Sequence, residues 1–141
     1  MFGGATQFQA SLLQQATEGA RADRIAAQAV AAWRGISSAL SPIIGHGGVS
    51  ALFERSLHLA TPRHPTLVAA LDSAASADDF AALRATLSSV PGPEAAAAQG
   101  ELLEAFYGLL AGLIGEPLTT RLLQPVWDTL QSGDPAKDDA P

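Results

Sequence analysis

"LLEAFYGLLAGLI", residues Leu102 to Ile114, is the stretch that decides the fold. Its thirteen residues carry one charge, at Glu104, and apolar side chains would cover almost every side of a helix formed there. A helix that is hydrophobic on most sides belongs in the centre of a bundle rather than at its surface. Since "VPGPE" supplies a turn and a first-turn proline, we expect this central helix to run from about Pro93 to Ile114.

Apolar residues recur with a helical period on both sides of this stretch, and alternating β-strand patterns are absent. Helices are expected over about Ala22 to Leu40, Val49 to Leu59 and Leu118 to Leu130. A short helix is expected in "PTLVAALDSA", followed by a helix capped at Ser76 that buries Phe80, Leu83 and Leu87. The sequence therefore predicts an all-α, single-domain bundle of five or six helices.

The first two of these helices have well-defined buried faces. In the first, the apolar positions are spaced by three or four residues: Ile25, Ala29, Trp33, Ile36 and Leu40. In the second, the same spacing selects Val49, Leu52, Phe53, Ser56, Leu57 and Ala60. Both faces are predicted to point into the core.

Two segments share the pattern Leu-x-x-(Ile/Leu)-Ile-Gly: "LSPIIGHGG" around Gly45 and "LAGLIGEPL" around Gly115. We call them the two glycine corners. Each consists of a long helix, two apolar residues, a glycine able to adopt a positive φ, and a second amphipathic helix. One interpretation is an internal duplication that gives a pseudo-twofold domain, and the other is a generic helix–glycine–helix corner. Under both interpretations, we expect the corners to be similar and buried, because the two apolar residues would pin them to the core.

The two ends of the chain differ in composition from its middle. Residues 1–17 are rich in Gln, Gly, Ala and Ser, and we expect a loosely ordered segment there. The last ten residues, 132–141, form a polar acidic stretch, and we expect a disordered tail. The helical bundle is therefore assigned to residues 18–131.

Charge and cysteine content exclude several classes of function. The net charge is −6, and only eight scattered residues are basic, so no cluster could neutralise nucleic-acid phosphates or an anionic membrane surface. Cysteine is absent, which excludes disulfides and thiolate chemistry. The longest apolar run, "AFYGLLAGLIG", is too short to cross a bilayer, and the first residues do not resemble a signal peptide. We therefore expect a cytoplasmic protein that binds neither nucleic acid nor membranes.

His58 lies one helical turn after Glu54, on the polar face of the second helix. Phosphorelay modules are helical bundles that present an exposed histidine, so His58 is a candidate phosphoacceptor. "SLHLATPRHP" lacks the lysine and glycine that usually follow such a histidine. The alternative is an ordinary exposed histidine with a weak partner at i−4.

No pattern in the sequence predicts a metal, a cofactor or an enzyme. Glu54 and His58 are four residues apart and point outward, unlike the inward Glu-x-x-His pairs of di-iron bundles, and His46 and His64 are expected in loops. Nucleophile elbows, phosphate loops and dinucleotide fingerprints are absent.

Three further residues are candidates for packing or for an interface. Gly108 and Gly112 lie one turn apart on the central helix, where a second helix could approach closely, either within the chain or in a dimer. Trp127 follows Pro125, which breaks or kinks the last helix by removing a backbone hydrogen bond. Trp127 is therefore expected either in the core or at a docking edge.

"GGVSALFERSLHL" together with "LIGEPLTTRLLQPVW" resembles small uncharacterised all-helical bacterial proteins of unknown activity. The resemblance covers most of residues 30–130 and implies the fold class alone.

These observations favour a non-enzymatic interaction or signalling module without a cofactor. It is expected to form a homodimer and to present an Ala- and Leu-rich face to a protein partner of unknown identity. A phosphorelay intermediate using His58 is one alternative. A sensor that binds a small apolar ligand between the two glycine corners is another.

Overall fold

The computed structural model describes residues 3–17, 19, 21–69 and 80–131 of the 141-residue chain. These residues form five α-helices and no β-strand, which confirms the predicted all-α bundle. The helices are α1 (Gly3–Thr17), α2 (Ala22–Ala60), α3 (Ala81–Ser88), α4 (Gly92–Ile114) and α5 (Glu116–Gln131). A 3-10 turn at Pro65–Leu67 follows α2.

Helix α2 folds back on itself at Gly45. This glycine has φ 81° and ψ 160°, a backbone conformation that only glycine adopts without strain, whereas the residues on both sides are helical. In a straight helix, residues 33 and 53 would lie about 30 Å apart. The rings of Trp33 and Phe53 instead meet edge to face, with their centroids 5.1 Å apart. Helix α2 is therefore a hairpin of two helical arms.

Helices α4 and α5 form a second hairpin, which turns at Gly115 with φ 93° and ψ 147°. The Gly115 amide donates to the Ala111 carbonyl at 2.8 Å, and the Gly115 carbonyl accepts from the Thr119 amide at 3.0 Å. Tyr107 and Trp127, again twenty residues apart, stack with centroids 6.2 Å apart. Gly45 and Gly115 are thus the residues at which the two hairpins turn.

The buried faces of α2 lie where the periodicity predicts them. All five positions of the first arm are buried, from Ile25 to Leu40, and in the second arm Val49, Phe53, Ser56, Leu57 and Ala60 are buried. Helix α4 contacts each of the other four helices, as its apolar sequence requires. Phe80, Leu83 and Leu87 are buried, as predicted, whereas the proposed cap at Ser76 lies outside the described residues.

The expectation of a loosely ordered segment at residues 1–17 is wrong for Gly3–Thr17, which form α1. Phe8, Leu12 and Ala16 recur every four residues and are all buried, so they form one apolar edge. That edge packs against α4 and α5. The predicted acidic tail, residues 132–141, lies outside the described residues.

The first arm of α2 also ends later than predicted. We expected Ser41 and Pro42 to end it at Leu40, but the helix continues through Pro42 and breaks only at Gly45. Pro42 removes the amide that would bond to the Ser38 carbonyl, and the Ser41 hydroxyl bonds to the Ser37 carbonyl at 2.7 Å. One missing bond near a helix end is tolerated, whereas the backbone of Gly45 is incompatible with a helix.

Candidate interaction surface at the glycine corners

The two corners are similar in backbone conformation, as expected, but they are not buried. Gly45 is exposed, and no atom of the described residues lies within 4 Å of where its side chain would begin. Gly115 is half-buried, and in the described part of the chain Pro117 alone comes close to that position, at 3.9 Å. The expectation of buried corners is therefore wrong.

The apolar pair before each glycine explains this error. Ile43 is 51% exposed and Leu113 is 61% exposed, whereas the following residues, Ile44 and Ile114, are partly buried against the core. Successive helical residues point about 100° apart, so a helix at the surface of the core cannot bury both members of such a pair. Each corner is held by its second apolar residue and presents the first one to solvent.

One face of α4 is open along its last two turns. Gly108 and Gly112 are both exposed, and a side chain at either position would meet no atom of the described residues within 4 Å. The interpretation of these glycines as a tight packing contact within the chain is therefore wrong. Leu113 continues this face and is the most exposed large apolar side chain among the described residues.

Acidic residues occur at both ends of this open face, and the stretch between them is free of charge. No ionisable carboxylate or base occurs between Glu104 and Glu116. Ala105 and Leu109 are half-buried along the same side of α4, and Leu118, at the start of α5, is 40% exposed. We call the set Ala105, Gly108, Leu109, Gly112, Leu113 and Leu118 the α4 face. It combines an open helix backbone with solvent-exposed leucines.

Trp127 belongs to the core, so the docking-edge alternative is wrong. Its side chain is 2% exposed, and its indole nitrogen donates to the Tyr107 hydroxyl at 2.6 Å. The Phe8 ring of α1 packs against it with a centroid distance of 5.6 Å. Burial raises the pKa of Tyr107 to about 12, partly offset by the hydrogen bond from Trp127. Helix α5 continues through Pro125, which lies on its exposed side.

A buried hydrogen bond links the two hairpins and had no signal in the sequence. The Trp33 indole donates to Gln99 Oε1 at 2.8 Å, across 66 residues of chain. Gln99 is fully buried, and its Nε2 atom has no hydrogen-bond partner among the described residues. Gln99 occupies a position of α4 that its polarity alone would place at the surface.

His58 lies exposed on the second arm of α2, with Glu54 exposed one turn before it. This exposure is what both the phosphoacceptor hypothesis and the plain alternative require, so the hypothesis stays a prediction. His46 is also exposed, with its Nδ1 atom 3.3 Å from the Ser41 hydroxyl. Among the described residues, no three histidines, cysteines or carboxylates lie close enough together to hold a metal ion.

An open pocket of about 690 Å³ lies at the Gly45 corner. Its described lining consists of α2 residues and Phe80, with none from the Gly115 corner: Arg34, Ser37, Ser38, Ser41, Pro42, Gly45, His46 and Phe80. Three serines, Arg34 and His46 bring polar groups to this lining, beside the apolar Pro42 and Phe80. The pocket therefore differs from the apolar cavity between both corners that the sensor hypothesis requires.

By length and composition, one described helix, α2, could cross a membrane, and a stretch of it with a mean hydropathy of 1.2 is 22% buried. The fold-back at Gly45 divides this helix into two arms whose aromatic rings touch. Neither arm by itself reaches the roughly 20 apolar residues that a bilayer crossing needs.

Comparison of the chain with protein-family models, with curated proteins and with solved structures finds no match. The resemblance to small helical bacterial proteins stays a prediction.

Proposed function

We propose that this protein is a non-enzymatic interaction module that forms a homodimer through the α4 face. The observation that carries the proposal is Leu113, 61% exposed at the end of a charge-free helix face on which Gly108 and Gly112 leave the backbone open. Exposed apolar side chains grouped on one face are typical of protein-interaction sites. Two glycines one turn apart allow a second helix to approach closely, so that backbone and leucine side chains can both be covered.

A second copy of the chain is the occupant that this face fits best. The chain carries a net charge of −6, and the α4 face, apart from Leu118, lies in the uncharged stretch between Glu104 and Glu116. Two identical uncharged faces related by a twofold axis can meet without placing like charges together. A lipid surface would be favoured by flanking lysines and arginines, and residues 105–120 contain none.

The test compares two glutamate substitutions at exposed leucines. Leu113→Glu places a charge in the α4 face, whereas Leu59→Glu does so on α2, where Leu59 is 46% exposed and follows Glu54, Arg55 and His58. Burying a leucine contributes about 2 kcal/mol, so we expect Leu113→Glu to weaken dimerisation at least about tenfold. Native mass spectrometry over a concentration series measures both variants against the wild type.

The matched control makes the outcome specific. Leu59→Glu should dimerise as the wild type does, and both variants should keep the helical circular dichroism spectrum. Equal dimerisation of all three proteins would contradict the α4 face as the interface. Raising the salt concentration should strengthen the wild-type dimer, because screening reduces the repulsion between two acidic chains.

A further inference from the structure

We propose that the dimer exchanges its first helix, so that α1 of one copy occupies the groove between α4 and α5 of the other. This inference rests on the proposed self-association and names the segment that carries it. The groove and its occupant are both present in one chain, since the apolar edge of α1 packs there in the closed monomer. An identical helix from a second copy would make the same contacts, so exchange costs little contact energy.

The composition of α1 suits a helix that is exchanged between two copies of the chain. No residue from Gly3 to Thr17 is charged, so no ion pair ties α1 to its own chain. Its strongest contact in the groove is apolar: Phe8 lies against Trp127, and Leu12 is fully buried. Gln15 of α1 and Gln28 of α2 form a reciprocal pair of amide hydrogen bonds, at 3.0 and 3.2 Å.

The fit of α1 in the groove is imperfect at Gln9. Its Nε2 atom donates to the Ala96 carbonyl at 2.7 Å, but its Oε1 atom is buried and has no hydrogen-bond partner among the described residues. A buried polar atom without a partner costs about 1–3 kcal/mol. Docking of α1 is therefore weaker than its buried area alone implies, and opening of this helix is correspondingly easier.

The connection to α2 offers a way to bias the exchange. Only four residues, 18–21, separate the two helices, and Gly19 among them has φ 101°, with no atom of the described residues within 4 Å of a side chain placed there. Glycine adopts this φ readily, whereas any other residue at this φ is strained. A substitution at Gly19 therefore strains the closed connection and favours exchange, because the open chain is free to leave that conformation.

A disulfide trap distinguishes the exchanged dimer from a dimer of closed chains. The natural sequence has no cysteine, so Gln9→Cys with Gly100→Cys gives one defined pair in the full chain. A side-chain carbon placed at Gly100 would lie 3.2 Å from Gln9 Cγ, which puts the two new sulfurs within reach of a disulfide. Monomer and dimer fractions from gel filtration are oxidised separately and run on a denaturing gel without reductant.

We expect the dimer fraction to give covalent dimers and the monomer fraction to give internally linked monomers. A dimer fraction that gives only internally linked monomers overturns the exchange and leaves the proposed homodimer intact. Failure to find any dimer overturns the proposed function and the exchange together. In the natural sequence, Gly19→Val should raise the dimer fraction several-fold, because it strains only the closed connection, and an unchanged or lower fraction would also overturn the exchange.

Discussion

The two hairpins turn on glycines of nearly the same conformation, yet they hold their tryptophans in different ways. Trp127 donates to Tyr107 within its own hairpin, at 2.6 Å. Trp33 donates to Gln99 of the other hairpin, and its ring meets three more aromatic rings, those of Phe53, Phe80 and Phe106. Trp33 therefore fixes the first hairpin to the rest of the bundle, whereas the hydrogen bond of Trp127 joins the two helices of its own hairpin.

This difference shows what a repeated local pattern does and does not determine. A glycine between two amphipathic helices produces a turn at both places, because the positive φ is a local requirement. The partner of each tryptophan is set by which helix packs across from it. The following predictions test that distinction, in order of decreasing effect.

The largest effect is expected at Trp33. Trp33→Ala should lower the free energy of unfolding by about 3–5 kcal/mol, as truncation of large core aromatics does. Trp127→Ala should cost less, since Trp127 pairs with two rings, Phe8 and Tyr107. Urea unfolding followed by circular dichroism measures both, and an equal or larger loss at Trp127 would contradict the contrast between the hairpins.

Alanine substitutions at the two glycine corners should lower the free energy of unfolding by similar amounts. Gly45→Ala and Gly115→Ala should each cost about 1–3 kcal/mol, because both glycines have a φ and ψ that other residues adopt only under strain. Gly47→Ala is the matched control. Gly47 lies two residues away in the helical part of α2 with open space around it, so alanine there should stabilise the protein by about 0.5–1 kcal/mol. Destabilisation by all three substitutions would refute the assignment of strain to the two corners.

The buried Trp33–Gln99 pair predicts a compensating double variant. Trp33→Phe removes the donor and leaves the Gln99 amide with neither atom paired among the described residues, at a cost of about 1–3 kcal/mol beyond the lost ring area. Adding Gln99→Met removes that buried amide and should restore part of the loss. Thermal unfolding of the two single variants and the double variant completes the cycle. Strictly additive effects would mean that the hydrogen bond contributes no coupling between the hairpins.

The smallest expected change in stability comes from Tyr107 and is confined to alkaline pH. The folded pKa of Tyr107, about 12, lies above its ordinary value of 10.0, so the protonated phenol is favoured by folding. The protonated phenol therefore contributes to the free energy of unfolding in full below pH 10, and this contribution is lost as the pH rises towards 12. Tyr107→Phe should flatten the pH dependence of unfolding across that range, although it removes the acceptor of the Trp127 indole. Since Tyr107 is the one tyrosine in the chain, its phenolate absorbance reports the titration directly.

Much of the fold follows from local patterns in the sequence. The helical period placed Ile25 to Leu40 and Phe53 to Ala60 in the core, and the apolar run from Leu102, with its single charge at Glu104, placed α4 at the centre. Helix α1 was missed because four glutamines and two glycines interrupt its apolar residues. Its signal was the four-residue spacing of Phe8, Leu12 and Ala16.

The candidate surface could be predicted only in part. The glycines of α4 were recognisable from their spacing, but whether they meet another helix of the same chain depends on where every other helix packs. The exposure of Leu113 and the burial of Gln99 have the same origin, since each is decided by neighbours distant in sequence. Periodicity identifies a face of a helix and does not identify what covers it.

Sedimentation equilibrium of the wild-type protein across the micromolar range tests the central claim most directly. The account predicts a reversible equilibrium between monomer and dimer that shifts towards the dimer with concentration and with added salt. A single species with the mass of one chain, 14.4 kDa, at every concentration and salt level would contradict it.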